Sequence, residues 1–158
     1  MINTGPRLND SLVSGLAGAV ALTAVHQAAR GITPSAPRMD VLGMRALARS
    51  ASAADTDVPQ TRKGLYRAAL AGDLICNTAY YSLATSYTRG AVMGLLAGMG
   101  ALLLPQRLGL GGPPRSELLS NQVMTVGWYV IGGLAAAATS TWLANRRGEA
   151  ARDFVGGY

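Results

Sequence analysis

The chain has 158 residues, 49% of them apolar and 14% charged, with a formal net charge of +6. Charge is scarce beside the roughly 25% of an average soluble domain, while the apolar content is too high for a disordered chain. One cysteine and one histidine exclude a disulfide framework within the chain and a zinc-finger ligand set.

The charges are segregated by segment. Residues 11–29, 90–106 and 118–145 carry none, and residues 68–88 carry one, Asp73. A soluble amphipathic helix separates polar from apolar residues by face, every three or four positions. Separation over whole segments of ~20 residues is the pattern of membrane spans. The expected fold is therefore an all-α integral membrane protein: four transmembrane helices in a small-residue-packed bundle, plus one short basic interfacial helix. The spans are placed at about 11–29, 67–87, 90–106 and 123–144, all within a single membrane domain, 1–158.

The first span has the length of a signal-peptide core, but Arg7 and Asp10 cancel before it and no clear small-x-small site follows. It is read as a retained helix that stops at Gly31-Ile32-Thr33-Pro34. The connection to the second span contains a basic amphipathic stretch, residues 38–50. Arg38, Arg45 and Arg49 share one helical face there and Val41, Met44 and Ala48 another, with Ser35 as a candidate cap and Pro37 in the first turn. Such a helix suits a membrane surface, its arginines on lipid phosphates or an acidic partner, or a solvated or partner-covered position. Asp57, with Pro59 after it, is the candidate cap of the next helix.

The second span is the most polar, with Asp73, Asn77 and several hydroxyls, and crosses only if that face turns into protein. A carboxylate at membrane depth costs roughly 2.5–3.5 kcal/mol by insertion scales. Asn77, Tyr80 and Tyr81 fall on the face of Asp73, and depth counting sets Thr23 of the first span opposite it. This intramembrane network admits two readings, a proton or cation step and a hydrogen-bonded packing cluster. His26 is the only histidine. It could ligate a haem or pigment, or reach headgroups and loop carbonyls from its place near the helix end. No other cofactor is indicated.

The third span carries Gly90, Gly94 and Gly98 at four-residue intervals, a stripe expected to make a close helix–helix contact. Small faces recur at Gly15 with Ala19, Ser14 with Gly18, Gly132 with Ala136, and Gly133 with Ala137. Packing of this kind predicts a tight bundle with little internal room. The Pro- and Gly-rich stretch 105–117 is a loop, with Ser116-Glu117 the expected start of the last helix. Trp128-Tyr129 and Trp142 read as membrane anchors or helix contacts.

Arginine and lysine counts favour the long 30–66 connection in the cytoplasm and both termini outside, with Arg7, Arg89, Arg146, Arg147 and Arg152 on the outer side. The basic charge lies on loops without interleaved aromatics, which excludes a nucleic-acid surface of the usual kind. No HExxH, GxSxG, CxxC or Walker loop is present. The expected function is that of an accessory or scaffold subunit of a larger membrane assembly, or a homo-oligomer, acting by helix association within the lipid bilayer. The alternative is a small transporter, channel or proton-conducting protein built around Asp73. A third reading is a membrane enzyme or cofactor protein using His26.

Overall fold

The structure, a computed structural model, describes residues 7–112 and 114–156, the last seven of these by backbone alone. Arg152, counted in the orientation above, therefore lies outside the described side chains. The described residues are all-helical: α1 (Leu8–Ile32), α2 (Met39–Ala53), α3 (Arg62–Tyr81), α4 (Tyr87–Arg107) and α5 (Leu119–Gly156). Three stretches are long and apolar enough to cross a membrane: Leu8–Ile32, Tyr87–Arg107 and Leu119–Glu149. The polar α3 is not among them, so three spans rather than four follow from length and composition.

The helix ends obey local chemistry. α1 stops at Ile32, with Thr33 extended ahead of Pro34, because the ring of a proline disfavours helical backbone in the residue before it. The α3 cap is Thr61, whose hydroxyl accepts from the Gly64 amide at 3.0 Å. Asp57 does not cap this helix, because α3 begins at Arg62, beyond Pro59. The α2 cap is Arg38, without a side-chain cap bond, rather than Ser35. The second predicted segment, 67–87, is not one helix. α3 ends at Tyr81, residues 82–86 form the turn, and Ser86 caps α4 by accepting from the Arg89 amide. The segment's apolar composition runs on through this turn, so hydropathy alone could not show the break. At the far end α5 starts at Leu119, past Ser116-Glu117, and continues as one helix beyond Asn145. Its 38 residues span roughly 57 Å at ~1.5 Å per residue, well over the ~30 Å hydrocarbon core.

α5 is the spine. α1 and α4 both pack on it, α3 packs on α1, and α2 packs across α3. The small residues make these approaches possible. A Cβ added at Gly18 would stand 2.6 Å from the Gly132 carbonyl oxygen, and one at Gly133 would collide with the Gly90 carbonyl. The neighbouring Gly132 and Gly133 thus seat α1 on one side of α5 and α4 on the other. Gly94 lies against Val130 and Gly98 against Val126, so the α4 glycine stripe faces the chain's own last helix. Gly15 of α1 meets the Thr78 carbonyl of α3. Between apolar helices in lipid, association comes from this kind of close packing.

Four hydroxyls within the apolar helices are satisfied locally. Ser14, Thr125, Thr139 and Thr141 each donate to the carbonyl four residues earlier, at 2.7–2.9 Å. The core holds Leu22, Tyr81, Trp128 and Ala136. Trp128 is an internal helix contact, whereas Trp142 is exposed with the Arg146 guanidinium 5.0 Å from its ring. Arg147 pairs with Asp10 at 3.0 Å, fastening the α1 start to α5.

Candidate functional site: a cleft between α3 and α4

α3 and α4 are joined by a five-residue turn yet scarcely touch. Tyr80 bridges them near the turn, its hydroxyl donating to the Met93 carbonyl at 2.9 Å. Farther along they diverge, and a cavity of about 530 Å³ opens between them. α1 and α5 close its back and α2 covers its end. The tight packing expected from the small residues holds for α1, α4 and α5 and stops short of this cleft. Glycine stripes bring α1, α4 and α5 together, but nothing comparable draws α3 against α4.

Most of the lining is apolar, including Leu70 of α3 and Leu96, Ala97, Ala101 and Leu104 of α4. Polar groups enter at few points. Asp73 lines the cavity, and its carboxylate Oδ1 accepts from Asn77 Nδ2 at 2.9 Å. The same Asn77 nitrogen reaches the Asp73 carbonyl, also at 2.9 Å. Thr23 lines the cavity too, but its buried Oγ1 has no hydrogen-bond partner among the described residues. Tyr81 is turned away: its hydroxyl donates to the Tyr129 carbonyl at 2.7 Å within the core. Of the predicted network, then, Asp73 and Asn77 are bonded, Thr23 and Tyr80 share the cavity wall with Asp73, and Tyr81 belongs to the packing.

His26 also faces the cavity. Its ring lies edge-on to Trp128 at 4.7 Å and to Tyr129 at 5.9 Å, and its buried Nε2 has no partner among the described residues. These aromatic contacts hold the imidazole at the back of the cleft. Thr23 and His26 thus line a largely apolar space, while their unpaired Oγ1 and Nε2 atoms are packed against protein.

A polar lattice that the sequence reading missed edges the cleft at its α2 end. Arg38 donates to both Asp40 oxygens, Nε to Oδ1 and Nη2 to Oδ2, each at 2.8 Å. Arg30 of α1 lies 3.6 Å from the same carboxylate and donates to Gln27 at 3.0 Å. Gln27 donates in turn to the Tyr66 hydroxyl of α3 at 2.7 Å. Burial pushes the Asp40 carboxyl up, but the Arg38 hydrogen bonds and the nearby Arg30 outweigh this and hold it below its ordinary value. The available signal was Asp40 itself, the sole acid in a basic helix.

The other arginines of α2 meet the chain rather than standing free. Arg45 Nη1 donates to the Leu110 and Gly112 carbonyls at 3.3 Å, and the Arg49 guanidinium lies beside Gly109. Gly109 and Gly111 have φ of +69° and +72°, left-handed values that glycine adopts without penalty. Their turn offers the loop carbonyls to α2. Asn121, almost fully buried, ties the two connections together by donating to the Ser35 and Arg115 carbonyls. Comparison with protein-family models, curated proteins and solved structures finds no match to this chain.

Proposed function

We propose that the protein is a four-span integral membrane protein that binds a small amphipathic molecule in the α3–α4 cleft, as a carrier or transporter would. α3 is the fourth span, crossing with Asp73 and Asn77 turned inward and Ile75 and Cys76 outward. The arginine count puts the 30–66 connection on the cytoplasmic side. The observation that carries the reading is the 530 Å³ cavity itself, mostly apolar and lined at a few points by polar residues, among them Thr23, His26 and Asp73. Its volume is that of small-molecule sites, which combine apolar walls with a few polar points that orient the ligand. The Gly90-Gly94-Gly98 stripe and the small faces of α1 and α5 pack within the chain, so they lend the scaffold reading no separate support.

Ala97 lines the cavity, and a tryptophan there would put an indole ring into that space. The full chain extracted gently from membranes is expected to show a bound small molecule in native mass spectrometry. Ala97→Trp should keep its thermal stability and lose that adduct. Identical spectra for both proteins, with no adduct or with an unchanged one, would overturn the reading.

A further inference from the structure

A second, smaller pocket adjoins the cleft. It encloses about 330 Å³ at the end of α1, between the 33–38 connection and Arg115. Gln27 and Arg30 line both spaces, so the two meet at the wall these side chains form. The character of the lining changes across that wall, from leucine and alanine on the cleft side to Arg30, Arg38 and Arg115 on the other. Asp40 pairs with both Arg30 and Arg38 and neutralises one charge. Arg115 is exposed and donates to the Pro34 carbonyl. The small pocket therefore keeps an excess of positive charge. It sits at the end of a helix apolar enough to span, where headgroups lie. Guanidinium groups match phosphate in geometry as well as charge, through paired N–H donors.

We infer that the two spaces form one bipartite site for an anionic phospholipid, its phosphate held by Arg30, Arg38 and Arg115 and an acyl chain laid in the α3–α4 cleft. This rests on the reading that the cleft holds an amphipathic molecule. It adds the headgroup and the chain's direction, with the phosphate at the α2 end and the tail laid along Leu70, Leu96, Ala97 and Ala101. Lipid enters sideways through the gap where α3 and α4 diverge, without leaving the bilayer.

The test uses the full chain in detergent micelles, with dioleoylphosphatidate or dioleoylphosphatidylcholine added at equal concentration and bound lipid read by native mass spectrometry. Phosphatidate should be preferred about fivefold or more, since each arginine near a lipid phosphate contributes on that order. Arg30→Gln and Arg115→Gln should bring the ratio toward one, while Arg115→Lys, which keeps the charge, should retain most of it. Ala97→Trp should lose both lipids. Inorganic phosphate at millimolar concentration should not displace phosphatidate. Equal binding of the two lipids, abolished by Ala97→Trp, would overturn the headgroup assignment and leave the cleft reading standing. Displacement by inorganic phosphate alone would show a free-anion pocket and overturn the bipartite site. Failure of either lipid to bind would overturn both.

Discussion

Gly133→Leu is expected to abolish the folded bundle, while Gly127→Leu on the same helix is expected to leave it nearly unchanged. At Gly133 any Cβ runs into the Gly90 carbonyl and backbone, and at Gly127 nothing lies within 4 Å of it. Overpacking usually costs about 1–3 kcal/mol because side chains give way. Here the obstacle is backbone, so α4 as a whole must move off α5. That movement also lifts Gly94 from Val130 and Gly98 from Val126, and the loss should exceed about 3 kcal/mol. Thermal unfolding in detergent, followed by the emission of buried Trp128, checks this together with the monodispersity of the purified protein. Equal stability of the two variants would show that α4 does not pack on α5 as described.

Tyr81→Ala is the second large effect. The ring is fully buried and wedged where α1 and α5 cross, so close that a Cβ on Gly132 would stand 3.1 Å from Tyr81 Cε2. Removing a ring of this kind costs about 3–5 kcal/mol through the cavity left behind. Tyr81→Phe keeps the ring and loses only the hydrogen bond to the Tyr129 carbonyl, 2.7 Å long, a loss of about 1 kcal/mol. Denaturation of the detergent-solubilised protein by increasing SDS should rank wild type above Tyr81→Phe, and Tyr81→Phe well above Tyr81→Ala. Similar losses for the two variants would place the tyrosine's role in its hydroxyl rather than its bulk.

What could be read from the sequence was local. Uninterrupted apolar runs mark α1, α4 and α5, and the four-residue spacing of Gly90, Gly94 and Gly98 marks a face fit for close approach. Asp73 and Asn77 lie one turn apart on a helix, so their bond follows from spacing alone. The cleft was hidden because it depends on which faces of α3 and α4 fail to meet, and no single segment carries that information. For the same reason no spacing rule could show that Ala97 lines the cavity. The partners of Arg45 lie 65 and 67 residues away, so a basic stripe suited to phosphates could not be seen to meet loop carbonyls. Tyr81 shared a helical face with Asp73 but stands at the helix end, where the turn carries it into the α1–α5 crossing.

The central claim is that α3 crosses the bilayer with its polar face inward, which alone makes the cleft a membrane site. Cys76 tests it most directly, as the single cysteine and exposed on the outer face of α3. In reconstituted vesicles it should resist a membrane-impermeant maleimide from either side and react fully once SDS is added. A cysteine at Gln60, in a Cys76→Ser background, should react from one side without detergent. Labelling of Cys76 by the impermeant reagent in intact or opened vesicles would contradict the claim and leave α3 at the surface of a three-span protein.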